Sequence, residues 1–187
     1  MQNKIEQLCR TLKIGYTISN NYQTIQADTH EDFLIKILQL AVEDREVNRI
    51  NRLLKQARFP VFKTFETYCF EDIQIPEKLP IPHLTEGEFI QRNENLILYG
   101  GVGAGKTHMA IAIGVNLINQ GKKVLFYKTP TLVNELGEAK KNGILGPMIA
   151  KMNRADLIIL DEWGYIPLDN NGAQLLFQVV ADFYEKK

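Results

Sequence analysis

An α/β fold, with a parallel sheet flanked by helices and preceded by a small all-α region, is what the 187-residue sequence predicts. Three observations carry that prediction. From residue 95 onward, short apolar runs alternate with helical patterns, the mark of strand–helix–strand units. A glycine-rich stretch at 100–107 stands between one such run and a helical pattern, where α/β folds place a tight turn. Residues 1–58, by contrast, hold no proline and only one glycine, Gly15, and their apolar residues recur at helical spacing.

Taken in order, Ile5, Leu8 and Leu12 predict a short helix over 3–14, and Gly15 to Ala27 reads as a polar connection. A long helix opens at Thr29 or His30, with Asp32 as a capping-box partner of Thr29. Its stripe is Leu34, Leu38, Ala41, Val47, Ile50, Leu54 and Ala57. Pro60 ends it, because the residue before a proline is disfavoured in helical geometry. Residues 61–94, with Pro76, Pro80 and Pro82, read as a linker laid over the next domain, with a short helix within 84–92. Asn95–Tyr99 predicts a strand, Lys106–Asn119 a helix stopped by Gly121, and Lys123–Tyr127 a second strand. Two helical pieces broken at Asn142-Gly143 fill 131–153. Leu157–Asp161 predicts a third strand and Asn171–Glu185 a last helix. The organisation is therefore 1–60 helical, 61–94 linker and 95–187 α/β.

Charge is balanced, with 22 Lys+Arg against 22 Asp+Glu, which excludes a strongly basic packaging protein and an acidic disordered tail. No apolar run approaches the ~18–20 residues that a membrane span needs. The amphipathic start MQNKIEQLCRTLK lacks the apolar core of a signal peptide. Cys9 and Cys69 read as reduced thiols of a cytoplasmic protein.

Gly100-Gly101-Val102-Gly103-Ala104-Gly105-Lys106-Thr107 satisfies G-x-x-x-x-G-K-[ST], and His108 follows directly. Glycines let the backbone curl so that successive N–H groups face phosphate oxygens, and the helix that opens at Lys106 adds its positive end. The Lys106 ammonium reaches β- and γ-phosphates, and the Thr107 hydroxyl ligates Mg2+. At the end of the apolar run Leu157–Leu160, where α/β sheets bind ligands, stand Asp161 and Glu162. Asp161 is placed to hold Mg2+, and Glu162 to polarise the water that attacks the γ-phosphate. Adjacent Asp-Glu favours hydrolysis over transfer to a small acceptor, which counts against a small-molecule kinase.

These residues, with Thr107-His108-Met109-Ala110, Leu160-Asp161-Glu162-Trp163-Gly164-Tyr165, Ala57-Arg58-Phe59-Pro60 and Lys63-Thr64-Phe65-Glu66, resemble the IstB-type transposition helper ATPases over essentially the whole chain. DnaC-like helicase loaders are close relatives of that family. The resemblance implies a P-loop NTPase domain of the AAA+ class behind a small helical domain. It also implies homo-oligomers that assemble on double-stranded DNA with ATP and recruit a transposase. The rival partner is a replicative helicase, and a third reading is a nucleotide-binding interaction module without turnover. Relative to the family the chain is C-terminally shortened. A fourth strand between the loop strand and the Asp161 strand, a fifth at the outer edge and an arginine finger lie outside the 187 residues. The resemblance therefore implies that Leu96, Leu98, Ile158 and Leu160 face a gap. It implies marginal folding and at best slow ATP hydrolysis.

For DNA, two basic clusters stand out. Arg45, Arg49 and Arg52, with Lys55 and Arg58, lie along the long helix. Lys140, Lys141, Lys151 and Arg154, with Lys128, lie in the later helical region.

Overall fold

Capping and punctuation set most of the helix boundaries. A computed structural model describes residues 2–71, 73–76, 79–164 and 170–186. Tyr165, the last residue of the Leu160–Tyr165 match, lies outside the described residues. The chain divides into two compact units, Met1–Arg52 and Leu53–Lys187, with one long helix running through the boundary.

In the first unit, α1 spans Gln2–Leu12, α2 Tyr16–Asn21 and α3 His30–Ala57, with a 3-10 turn at Tyr22–Thr24. The polar connection expected over 15–27 is thus partly helical. Its helical segment turns Ile18 and Ser19 inward, and Ile18 joins Cys9 and Ala41 in a small core edged by Ile5, Ile14, Ile37 and Leu40. Burial outweighs the weak local propensity of Tyr16–Asn21. Gly15, at φ 82°, allows the close turn, since a Cβ there would stand 2.4 Å from Asp44 Oδ2. Thr17 Oγ1 donates to the other Asp44 oxygen at 2.6 Å. At the start of α3 the Asp32 N–H donates to Thr29 Oγ1 at 3.1 Å, which is half of the expected capping box. The Asp32 carboxylate does not close it, because Lys36 takes it at 2.7 Å. The expected apolar stripe is packed only in part: Leu34, Leu38 and Val47 are more than half exposed, whereas Ala41, flanked by Ile37 and Leu40, and Ala57 are buried.

In the second unit, α4 (Ile81–Thr85) and α5 (Glu88–Gln91) precede α6 (Lys106–Asn119), β1 (Val124–Lys128), α7 (Thr129–Lys141), α8 (Leu145–Met152), β2 (Leu157–Asp161) and α9 (Asn170–Lys186). Left-handed glycines close the helices: Gly121 (φ 81°) donates to the Ile118 carbonyl at 2.8 Å, and Gly143 (φ 71°) separates α7 from α8. Pro130 sits in the first turn of α7, where its missing N–H costs nothing.

β1 and β2 pair in parallel from Val124↔Leu157 to Lys128↔Asp161. Asp156 starts the ladder, its carboxylate accepting the Lys123 N–H at 2.7 Å. The strand alternation sorts side chains to two faces. Leu125, Tyr127, Ile158 and Leu160 pack with Leu132, Leu136, Met152, Leu175, Leu176 and Val179 from α7–α9. On the other face, Phe126 meets Phe59 edge-on at 6.0 Å, and Ile159 meets α6 at Gly114. Ile111, Leu117 and Ile118 of α6 are fully buried, each worth about 1.5–3 kcal/mol of transfer free energy. At Gly114 a Cβ would stand 2.7 Å from Phe59 Cζ, so glycine is what lets that ring reach the helix.

One expected strand is absent. Among the described residues the sheet has two strands, and Asn95–Tyr99 belongs to neither. Ile97 and Tyr99 are 81% and 91% exposed. A strand exists only where a neighbour completes its hydrogen bonds, and this segment does not pair with β2. Between them lies a cleft of about 680 Å3 lined by Leu96, Leu98, Ile113, Ile158 and Leu160. No helix among the described residues is long and apolar enough to cross a membrane. Cys9 and Cys69 are free thiols, the first buried and the second exposed.

Candidate functional site

The loop 100–107 takes its shape from glycines at positions that other residues avoid. Gly100, Gly103 and Gly105 have φ of 146°, 82° and 76°. Gly105 is the N-cap of α6, so the unpaired N–H groups of the first helical turn open onto the loop. Nothing lies within 4 Å of where a Cβ would project from Gly101 or Gly103, so the mouth of the loop is open. Val102, at its tip, is 89% exposed. An anion fits such a cradle because donors and helix dipole converge on open space.

Lys106 folds back over the loop, its Nζ donating to the Gly100 carbonyl at 3.0 Å and the Gly101 carbonyl at 2.6 Å. The ammonium is thus held at the loop by bonds that a phosphate oxygen can replace. Thr107 Oγ1 lies 3.1 Å from both Asp161 oxygens, joining the first turn of α6 to the end of β2. Thr129 Oγ1 donates to the Asp161 carbonyl at 2.8 Å and fixes the strand end from the neighbouring element. One hydroxyl and one carboxylate are hard oxygen donors, few enough to leave most of a Mg2+ shell to phosphate and water. Among the described residues no cluster of three or more His, Cys, Asp or Glu forms an all-protein cage. The donor set therefore fits a nucleotide-shared Mg2+.

Glu162 follows Asp161 but leaves the strand direction. Its φ is 57°, unusual for a residue other than glycine. Its Oε1 pairs with Lys128 Nζ at 2.6 Å. That bond, and then the carboxylate's charge, hold the Lys128 pKa above the ordinary lysine value. Lys106, Thr107, Asp161, Glu162 and Trp163 line the same cleft as Leu96 and Leu98, and Trp163 is 59% exposed at its rim.

His108 points away from the loop mouth. Its Nε2 is 3.0 Å from the Thr64 carbonyl and 3.4 Å from Thr67 Oγ1, and its ring meets Tyr68 edge-on at 5.0 Å. Tyr68 also backs the loop, 3.2 Å from a Cβ placed on Gly105, and its burial raises the phenol pKa. Residues 64–70 thus brace α6 from behind. Sequence reading placed that segment in a linker and missed Tyr68, whose only signal was an aromatic-rich stretch. A second brace holds the approach to the loop. Both ring nitrogens of buried His83 meet carboxylates, Glu88 at 3.2 Å and Glu94 at 2.9 Å. Asn116 Nδ2 donates to the Thr85 carbonyl, and Gln120 to the Glu86 carbonyl at 3.1 Å.

The basic residues fall in separate places. In the first unit Arg45, Arg49 and Arg52 are exposed on α3, and Arg49 already bonds Glu46 at 2.8 Å. In the second unit Lys140 and Lys141 end α7, Lys151 lies in the last turn of α8 and Arg154 follows that helix; all four are exposed. None of these four forms an ion pair among the described residues. Helix C-termini suit cations in any case, through the dipole. Lys128 does not belong with them. It stands at the C-terminal end of β1, whereas Arg154 precedes the N-terminal end of β2, the opposite end of a parallel pair.

Comparison with known proteins agrees with this geometry. Residues 8–187 match the family described as IstB-like ATP binding protein. The chain is 32% identical over 190 residues to an insertion sequence IS5376 protein of Geobacillus stearothermophilus, named for ATP binding, covering 99% of this chain and 76% of that one. It is 36% identical over 157 residues to the corresponding IS21 protein of Pseudomonas aeruginosa (84% and 59%). It is 33% identical over 187 residues to that of IS1162 from Pseudomonas fluorescens (97% and 77%). The chain thus spans between about three-fifths and three-quarters of the length of these relatives.

Proposed function

Because this chain belongs to the IstB-like ATP binding proteins, we propose that it is the ATP-driven helper of an insertion sequence, binding Mg-ATP at residues 100–107 and assembling on double-stranded DNA to engage a transposase. The observation that carries the nucleotide half is Thr107 held against both oxygens of Asp161 beside an open, glycine-shaped loop. The relatives' names, which tie ATP binding to insertion sequences, support a transposase over a helicase as partner.

In this reading the loop N–H groups and the first turn of α6 bind the phosphates. Lys106 exchanges its two carbonyl partners for β- and γ-phosphate oxygens. Thr107 and Asp161 hold Mg2+, which when bound neutralises phosphate charge. Glu162 accepts a proton from water as that water's oxygen attacks the γ-phosphorus. The bond from phosphorus to the β–γ bridging oxygen breaks, and ADP leaves with its electron pair. Lys140, Lys141, Lys151 and Arg154 are the candidate DNA contacts of the second unit, and Arg45, Arg49 and Arg52 those of the first. All would meet phosphates rather than bases, so binding is weakly sequence-dependent and falls steeply with salt.

The test is duplex binding with a non-hydrolysable ATP analogue over a range of salt. Lys140→Glu with Lys141→Glu weakens it at every sequence tried. Binding that is flat in salt, or absent with nucleotide present, removes the DNA half of the proposal. On the nucleotide half, Glu162→Gln keeps ATP affinity and stops turnover.

A further inference from the structure

Asp161 is held at both of its polar ends. Thr107 Oγ1 meets the carboxylate from α6, and Thr129 Oγ1, on the first residue of α7, donates to the main-chain carbonyl at 2.8 Å. Thr129 is 3% exposed, so its hydroxyl makes that bond away from competing water. The parallel ladder ends at Lys128↔Asp161. Beyond that pair β1 turns into α7, and Pro130 brings no N–H. A side-chain hydroxyl reaches the strand end there.

The carbonyl belongs to the peptide plane that joins Asp161 to Glu162, and both residues line the cleft beside Lys106. That plane is the common reference for the two side chains, since ψ of Asp161 and φ of Glu162 turn about the bonds at its two ends. Glu162 takes φ 57°, a region that L-residues avoid. Rotation of the plane would carry φ out of that region and relax the backbone. The Thr129 bond opposes the rotation, because turning the plane swings the carbonyl oxygen away from Oγ1. Strain of this kind persists only where the surroundings over-determine it. Here a buried hydroxyl supplies the constraint from the element next to β2.

We propose that Thr129 is a positioning residue for ATP hydrolysis. Its hydroxyl fixes the Asp161–Glu162 peptide plane, and with it the angle between the carboxylate that holds Mg2+ and the carboxylate that activates water. The proposal rests on Asp161 and Glu162 having those two roles. Thr129 acts on turnover rather than on affinity, because the phosphates are held by residues 100–107 and not by β2. The hydroxyl carries the role and the methyl does not, so serine can replace threonine.

The experiment compares Thr129→Val and Thr129→Ala, which lack the hydroxyl, with Thr129→Ser, which keeps it, in the full chain. In nucleotide-free protein labelled with 13C and 15N, the Glu162 amide reports on both ends of the plane by NMR. It correlates with the Asp161 carbonyl carbon, and its coupling to its own Hα follows φ. Thr129→Val and Thr129→Ala move the carbonyl signal and change the coupling, whereas Thr129→Ser leaves both near their wild-type values. In hydrolysis assays Thr129→Val and Thr129→Ala lower kcat about ten- to hundred-fold, the cost of misplaced groups, and leave KM for ATP within about two-fold. Thr129→Ser keeps the wild-type rate. A coupling and a kcat that survive loss of the hydroxyl, even beside a lowered melting midpoint, make Thr129 a packing residue and overturn the proposal. So does a Thr129→Ser chain as slow as Thr129→Val. A wild-type coupling that belongs to negative φ at Glu162 overturns it with no variant at all. If Glu162→Gln hydrolyses ATP at the wild-type rate, the assignment of Glu162 as base fails instead, while Thr129→Val still changes the coupling.

Discussion

Gly105→Ala should damage both the fold and the loop, while Gly101→Ala, four residues earlier, should leave stability alone. Gly105 holds φ 76°, ψ 8° at the N-cap of α6. An L-residue there costs about 1–2 kcal/mol from backbone sterics alone. Its Cβ would also stand 3.2 Å from Tyr68 Cε2 and 3.3 Å from Tyr68 Oη, closer than carbon atoms normally rest. The ring cannot easily retreat, because it packs edge-on against both Phe70 and His108 at 5.0 Å. Overpacking of this kind brings the total to about 2–4 kcal/mol. At about 2–4 °C per kcal/mol for a chain of this size, the melting midpoint falls by roughly 4–16 °C. Gly101 has no positive φ and nothing within 4 Å of its would-be Cβ. Its alanine variant should melt within about 0.5 kcal/mol of the wild type. Thermal and urea melts followed by circular dichroism, with ATP calorimetry beside them, measure both. Equal losses in the two variants, or a Gly105→Ala chain that melts with the wild type, would refute the reasoning that Tyr68 and the left-handed cap enforce the loop.

Lys106→Ala removes a charge-assisted phosphate contact worth about 1.5–3 kcal/mol, so calorimetry should show ATP affinity reduced roughly ten-fold or more. Burial raises the Tyr127 pKa above the ordinary phenol value. The folded chain therefore keeps a proton that the unfolded chain releases once pH passes about 10, and stability falls from there as pH rises toward the folded value. Tyr127→Phe should blunt that alkaline loss in denaturation curves taken at successive pH values, and a curve unchanged in slope would count against a buried phenol. Gly114→Val, with a side chain projecting into Phe59 and Ile159, should cost about 1–3 kcal/mol in the same urea assay.

The phosphate loop and α6 were legible in the sequence because everything that shapes them is contiguous. Glycines at fixed offsets, Lys106 as the first helical residue and Gly121 as a left-handed stop act within a few residues of one another. β1, β2, α7, α8 and α9 were legible for a similar reason, since apolar runs and Gly143 mark their limits locally. The Leu96-Ile97-Leu98 run looks just as strand-like, yet it forms no strand, because pairing depends on whether another edge lies alongside and the run cannot record that. Tyr16–Asn21 shows the converse, a weak helix that exists because Ile18 finds Cys9 and Ala41 to pack against. At the site, the chemistry of Lys106, Thr107, Asp161 and Glu162 could be read from residue type and spacing. The partners of two of its residues could not. Tyr68 reaches His108 across 40 positions, and Lys128 reaches Glu162 across 34. Those contacts were decided by the strand register and by the fold of residues 64–70 over α6, so only the tertiary structure could say that the carboxylate next to Asp161 is held by a lysine.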